Sequence, residues 1–284
     1  MANFLDGIVL GLQFGLLAAG LTLVYGLGGV LLLSYGQTAV LSAMVVVFSM
    51  DSGFPTWVAV GLGIIAGALI GLIHDLTVLR PVYRLQGEAR VLLSLLLTLG
   101  VAFIVDGSLN GTIPSEALRL RVGSGPVEVL GVPMPAGSLV ASAFTIVALG
   151  GLLVFLRMTT LGRAVRSVIE DEEGARMVGI DPKRILRLIL MLSGALAALV
   201  AVTRSMVIAV DVQAGFSMTV FALIVTVVGG LGSVTGALLA GIVLGIISTI
   251  ATAEIGTGLS LVILLVAAGV TILIRPSGLL GVRE

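Results

Sequence analysis

An all-α bundle crossing a membrane eight or nine times is the fold class this sequence predicts. Three observations predict it. Hydrophobic residues make up 58% of the 284 positions and charged residues only 11%, against about 25% charged in soluble domains. Apolar stretches of roughly 20 residues recur from end to end, the length that spans the hydrocarbon core. The 39 glycines include the small-xxx-small spacings Gly11/Gly15, Gly63/Gly67/Gly71 and Gly241/Gly245, which let membrane helices approach closely. A transmembrane barrel would show short alternating segments instead.

The candidate spans run over 5–25, 36–50, 56–74, 91–107, 138–156, 186–206, 216–229, 234–251 and 258–274. The first carries no Lys or Arg ahead of its apolar run, so it reads as a retained helix and not as a cleaved leader. The second follows a glycine-rich interruption and is a broken helix on one count. Arg80, Arg84 and Arg90 then occupy one short loop. Arg157, Arg163, Arg166, Arg176, Lys183, Arg184 and Arg187 occupy a later one, and Arg275 and Arg283 follow the last span. These twelve of the fifteen basic residues mark the cytoplasmic face by the positive-inside rule. Crossing parity places the 108–137 loop outside, where four prolines and the strand-like run 127–130 predict a small cap with a hairpin. The whole chain, 1–284, reads as one membrane domain, with an extracytoplasmic loop at 108–137 and a cytoplasmic loop at 157–187. It belongs in a plasma or inner membrane.

Chemistry is sparse. With zero net charge, nothing points to nucleic acid. With no cysteine and one histidine, neither thiol chemistry, a metal cluster nor a Ser-His-Asp set is in prospect. The chain is not expected to be an enzyme. No P-loop signature is present, since Lys183 follows Asp181-Pro182, so nucleotide binding by that route is excluded.

Two interruptions fall in opposite halves of the chain, a pattern that marks the transport path of helical carriers. One runs through Ser34, Tyr35, Gln37 and Thr38, polar groups that need partners or substrate in an apolar setting. The other holds Gly229, Gly230, Gly232 and Ser233. Parity puts this second turn toward the cytoplasm, where packing or an inner gate is as natural a role as substrate contact.

Residues 159–187 form the one dense charged segment. Ala164, Val165, Val168, Ile169 and Ala175 give a narrow apolar stripe on what reads as a single helix. Two roles fit: a solvated helix lying on the headgroups, or a helix that lays its stripe in a groove of a soluble partner. Ion-coupled carriers are the rival class. They place Asp, Glu or His inside spans, whereas Asp6, Asp51, Asp75, Asp106 and Glu254 sit at span ends or in loops, and His74 reads as an interfacial residue. Asp106 is the acid nearest the membrane interior.

The run Thr160-Leu161-Gly162-Arg163-Ala164-Val165-Arg166, then Glu170-Asp171, then Ala175-Arg176-Met177-Val178-Gly179-Ile180-Asp181 resembles the cytoplasmic loop of branched-chain amino acid ABC permeases. Gly20 to Gly26, Gly229 to Ser233 with Gly236-Ala237, and Arg275 to Gly281 are similar to that family too, in order along the chain. The resemblance implies a permease subunit of an ATP-driven importer. Its partners would be a second permease subunit, either a different chain or a second copy of this one, two ATPase subunits that hold ATP and Mg, and an extracytoplasmic binding protein. No cofactor is implied for this chain.

In that picture the loop is a cytoplasmic coupling helix docked on the ATPase. It carries Gly162, Arg163, Ala164, Val165, Val168, Asp171, Ala175, Gly179, Ile180 and Asp181. The sequence departs from one branch of the family at Leu32-Leu33-Ser34-Tyr35-Gly36-Gln37, where that branch has Asn-Phe-Ala-His-Gly-Glu, and has Gly174 where alanine is commoner. The substrate therefore stays open between branched-chain or related amino acids and urea, short amides or small carboxylates. A secondary carrier working without an ATPase, and a scaffold or sensor subunit, are the readings from other classes.

Overall fold

The structure, a computed structural model, describes residues 2–113, 117–120, 125–129, 132–275 and 278–280. Pro114, Leu130, Pro276, Ser277, Gly281 and Arg283 lie outside the described residues. The chain runs α1 (Ala2–Gly28), α2 (Tyr35–Asp51), α3 (Thr56–Ile73), α4 (Gly87–Thr112), β1 (Ala117–Leu118), β2 (Pro126–Val129), β3 (Val132–Pro135) and α5 (Ala136–Met158). It continues through α6 (Thr160–Glu170), α7 (Glu172–Met177), α8 (Pro182–Ser205), β4 (Val210–Asp211), α9 (Ala214–Gly229), α10 (Val234–Ile255) and α11 (Thr257–Ile274). The protein is an all-α polytopic bundle.

Six helices among the described residues are long and apolar enough to cross a membrane: α1, α3 with its extension to Val78, α4, α5, α8 and α10. Helix α2 is 17 residues long and α9 is 16. The apolar part of α11 covers Val262–Thr271. A count of eight or nine therefore needs these shorter helices to cross as well.

Helix α1 is the axle. It is apolar on all sides, the pattern of a helix meant for an interior, and it lies against α10, α8, α9 and α5. Leu16, Leu17, Leu21 and Val24 are sealed from solvent. Its closest neighbour is α10. There, Gly7, Gly11 and Gly15 of α1 face Gly241, Ile242 and Gly245 of α10 backbone to backbone. Small residues are what permit such an approach. Helices α3, α4 and α5 stand at the periphery and turn large apolar side chains outward, among them Ile65, Leu96, Phe103 and Val147. Exposed apolar area of this extent reads as surface made for lipid or for another membrane protein.

The loops sort to two ends. Gly28, Tyr83, Arg90, Glu172, Arg176, Lys183 and Leu186 surround one small cavity, which gathers the basic loops at one end. At the other end β1 pairs antiparallel with β4, Ala117 opposite Asp211 and Leu118 opposite Val210. The expected hairpin is there too, β2 against β3 with Val127 opposite Met134.

The segment read as one charged helix is two. Helix α6 starts on Thr159, whose side chain accepts from Gly162 N–H at 2.9 Å. Helix α7 starts on Asp171, which accepts from Gly174 N–H at 3.0 Å. Both are ordinary N-caps, and the second one breaks the run. Helix α7 closes with Gly179 N–H bonded to Arg176 O and Ile180 N–H to Ala175 O, the paired bonds of a Schellman motif. Gly179 takes φ of +86° there, a conformation a Cβ disfavours. Asp181 then caps α8 through Lys183 N–H, with Pro182 at its first position.

Candidate functional site

Between α1 and α2 the backbone of residues 29–34 is not helical. Non-helical backbone at membrane depth needs partners within the protein. Helix α4 supplies them from two hydroxyls one turn apart. Leu31 N–H donates to Ser94 Oγ at 3.1 Å, and Leu33 N–H donates to Thr98 Oγ1 at 2.9 Å. Both hydroxyls are buried. Thr98→Val keeps the shape and removes the acceptor, leaving Leu33 N–H unpaired. The expected cost is about 1–3 kcal/mol, the desolvation penalty of one orphaned donor. A lowered unfolding temperature in detergent checks this; an unchanged one would show that Thr98 is not the partner that matters.

The start of α2 is a buried polar knot in which Ser34, Tyr35 and Gln37 each reach a different helix. Ser34 Oγ lies 2.8 Å from His74 Nε2, and His74 Nδ1 lies 2.9 Å from Ile70 O. A carbonyl only accepts, so Nδ1 carries the proton, and in the neutral ring Nε2 accepts from Ser34. His74 opens a π-helical turn, His74–Val78, at the end of α3. Its ring is buried against Ser34. Tyr35 donates to Ser193 O of α8 at 2.9 Å. Thr38 Oγ1 bonds back to Ser34 O at 3.2 Å. Gly36 N–H donates to Thr219 Oγ1 of α9 at 2.9 Å.

Gln37 carries the knot outward. Its Nε2 donates to the Asp106 carboxylate of α4, 3.2 Å from Oδ2. Asn110 donates to Asp106 O at 2.8 Å and accepts from Gln213 Nε2 at 2.6 Å. Asp106 therefore sits within α4 and is only partly covered, beside a fully buried glutamine. The sequence signalled Asp106 only as the acid nearest the membrane interior. Nothing in the sequence pairs it with Gln37, 69 residues away.

The second interruption lies elsewhere. Gly215, packed beside Gln37, and Gly229 stand at opposite ends of α9, about 21 Å apart at 1.5 Å per residue. Ser233 caps α10 through Gly236 N–H at 3.1 Å. Gly232 packs against Gly26. Leu279 and Leu280 donate their N–H groups to Val228 O and Gly229 O. The turn Gly229, Gly230, Gly232 and Ser233 is thus a packed junction of α1, α9, α10 and the C-terminal tail. The structure does not bring it to the α2 knot.

The charged loop has two faces, and the apolar stripe belongs to the inner one. Gly162, Val165, Val168 and Ala175 are buried against the bundle, chiefly on α5, α8 and α1. The chain's own helices therefore cover Val165, Val168 and Ala175 of the stripe, while Ala164 is half-buried and Ile169 stays exposed. Arg163, Asp171, Gly179 and Asp181 face water, and Ala164 and Ile180 are half-buried. The side chains that stand out are Met177 and Val178, 87% and 75% exposed. Beside them Arg176, Gly179, Ile180, Asp181 and Lys183 line an open cleft of about 500 Å³. Among the described residues no three His, Asp or Glu side chains are placed to hold a metal ion.

Residues 3–278 match the family described as "Branched-chain amino acid transport system / permease component". The chain is 27% identical over 297 residues to the high-affinity branched-chain amino acid transport system permease protein LivH of Escherichia coli, across all of this chain and 96% of that one. It is 26% identical over 300 residues to the corresponding protein BraD of Pseudomonas aeruginosa, with the same coverage. It is also 28% identical over 226 residues to the fructose import permease protein FruF of Bifidobacterium longum, across 77% of this chain and 60% of that one. No solved structure matches.

Proposed function

Because the chain belongs to the branched-chain amino acid permease family of ABC transporters and is a multi-pass protein of the inner membrane, we propose that it forms the translocation path of an ATP-driven importer for branched-chain or related hydrophobic amino acids. It works beside a second permease chain, on two ATPase subunits that hold the ATP and Mg, and receives substrate from an extracytoplasmic binding protein. Hydrolysis belongs to those ATPases. In this reading Ser34, Tyr35, Gln37 and Thr38 begin a short helix beside the path, and Gly229, Gly230, Gly232 and Ser233 form its inner turn.

The observation that carries the proposal is the charged loop, two capped helices clamped to the bundle by one face while the other offers Met177 and Val178 to water. Exposed apolar side chains in an otherwise charged loop are costly to leave uncovered and fit an interface. The loop follows α5 directly at the Thr159 cap and runs directly into α8 at the Asp181 cap. Force applied there reaches α5 and α8 directly.

The test is uptake of leucine into vesicles holding the permeases with their ATPases and binding protein. Met177→Asp is expected to cut ATP-driven uptake about tenfold or more, the loss of one interface hot spot, with the unfolding temperature unchanged because the side chain is exposed. Unchanged uptake would remove the coupling role from this face. Leucine counterflow by the chain in vesicles lacking ATPase would replace the importer with a carrier. The fructose permease among the relatives favours a second reading of the cargo, a different small solute on the same scaffold, which direct competition for uptake by urea, amides and sugars decides.

A further inference from the structure

A second constellation at the basic end shares only Lys183 with the cleft beside Met177 and Val178. Asp75, Leu76, Arg80, Tyr83, Arg84, Lys183 and Arg187 line a cavity of about 590 Å³ between the end of α3, the turn that follows it and the start of α8. Four cations thus face one carboxylate, and that carboxylate is already engaged. Asp75 receives Arg187 Nε at 2.8 Å and the Tyr83 hydroxyl at 2.8 Å. Arg80, Arg84 and Lys183 make no ion pair among the described residues. The cavity therefore holds an uncompensated positive field, in a place that loop charge assigns to the cytoplasmic interface.

Directly above it, α3 shows a continuous apolar stripe. Leu62, Ile65, Leu69, Ile73 and Leu76 recur at three- and four-residue steps, and all are exposed. From Leu62 to Leu76 the stripe runs about 21 Å at the helical rise, enough to cover one leaflet's half of the roughly 30 Å hydrocarbon core. Leu76 belongs to both features: it ends the stripe and lines the cavity. A phosphate with acyl chains attached would fill both, its charge among the three unpaired cations and its chains along α3. A soluble anion would use only the cavity. An acidic partner protein would leave the stripe bare.

We propose that this cavity is a binding site for the headgroup of an anionic phospholipid of the cytoplasmic leaflet, with the acyl chains laid on the Leu62–Leu76 face of α3. The lipid phosphate would bridge the α3–α4 turn to the first turns of α8, two segments joined there by the Arg187–Asp75 pair.

The experiment uses the full chain, moved from vesicles of phosphatidylcholine mixed with phosphatidylglycerol into detergent, with retained lipid counted by native mass spectrometry. The wild type is expected to keep phosphatidylglycerol selectively. Each basic side chain near a membrane surface favours anionic lipid by a factor of about five, so Arg80→Gln with Arg84→Gln is expected to lower retention about 25-fold. Lys183→Gln, on the other wall, is expected to lower it about fivefold by itself. All three side chains are exposed, so folding is not at stake, and an unchanged unfolding temperature verifies it. Equal retention by wild type and the double variant overturns the proposal. So does full displacement by glycerol phosphate, which has the headgroup without the chains and would make the ligand a soluble anion. If these variants lose the ATPase subunits while still keeping the lipid, the cations belong to a protein interface and the proposal is likewise overturned.

Discussion

Gly241→Val is expected to unfold this protein or prevent its assembly, while the same change at Gly150 is expected to leave it intact. The two glycines lie in long membrane helices, α10 and α5, and differ in what a side chain would meet. A Cβ at Gly241 would lie 2.5 Å from Gly15 N, 2.6 Å from Gly15 Cα and 2.7 Å from Gly11 O. Carbon atoms rest at about 3.5–4.0 Å, so α1 and α10 must part by roughly 1 Å before even the first carbon fits. Every clashing atom is backbone, so no flexible side chain yields. Because α1 is the central helix, displacing it loosens α8, α9 and α5 together.

Overpacking a core costs about 1–3 kcal/mol where neighbours adjust, and here they do not, so the upper end of that range or beyond is expected. A Cβ at Gly150 meets nothing within 4 Å, and replacing an exposed helical glycine gains a few tenths of a kcal/mol. Thermal unfolding of the two variants in one detergent is the measurement. Matching unfolding temperatures would mean that the α1–α10 contact does not hold the bundle together.

The contrast between these two glycines shows what a sequence does and does not carry. The spacings Gly11/Gly15 and Gly241/Gly245 are legible as close-packing signals, yet nothing in either names the other as its partner. The six long spans are legible because burial in hydrocarbon imposes length and composition on each helix separately. The two ends of the bundle are legible because loop charge is local.

Pairings across the bundle are a different matter. Ser94 and Thr98 are single hydroxyls in an apolar run, and their role becomes visible only when residues 31 and 33 lie beside them. The stripe Val165, Val168 and Ala175 shows that one side of the charged segment is covered, while burial alone decides that the cover is the chain's own bundle. The break at Asp171 did have a local signal. An aspartate followed by two glutamates, with the amide of the third residue beyond it free to be capped, is an N-terminus written in the sequence.

Arg187→Ala is expected to destabilise the folded chain by about 2–3 kcal/mol, and removing its partner charge as well is expected to restore most of that. The reason is an asymmetry of burial. The Asp75 side chain is 5% exposed and that of Arg187 44%. Taking away the arginine strands a buried carboxylate, and orphaned buried charges cost about 3–5 kcal/mol; the solvent that already reaches the guanidinium places this case at or below the lower end. Tyr83 cannot stand in. Its phenol donates to Asp75 at 2.8 Å, and burial, then the neighbouring carboxylate, push its pKa well above the usual value, so it stays a neutral donor beside an unneutralised anion.

In Asp75→Asn with Arg187→Ala the buried charge is gone, and the asparagine oxygen still accepts the Tyr83 hydrogen bond. Removing both members of a buried pair is often close to neutral, so the double variant is expected within about 1 kcal/mol of wild type, which makes the coupling energy between the two sites strongly favourable. Additive losses in the double variant would mean that the two residues act separately. The pair also has a place in the architecture. Helix α8 emerges from the charged loop at its Asp181 cap, Arg187 lies in its second turn, Asp75 joins it to the π-helical end of α3, and the adjacent His74 holds Ser34 where the unwound segment enters α2. The Arg187–Asp75 pair and the His74–Ser34 hydrogen bond, on neighbouring residues of one turn, therefore link the start of α8 to the non-helical segment 29–34.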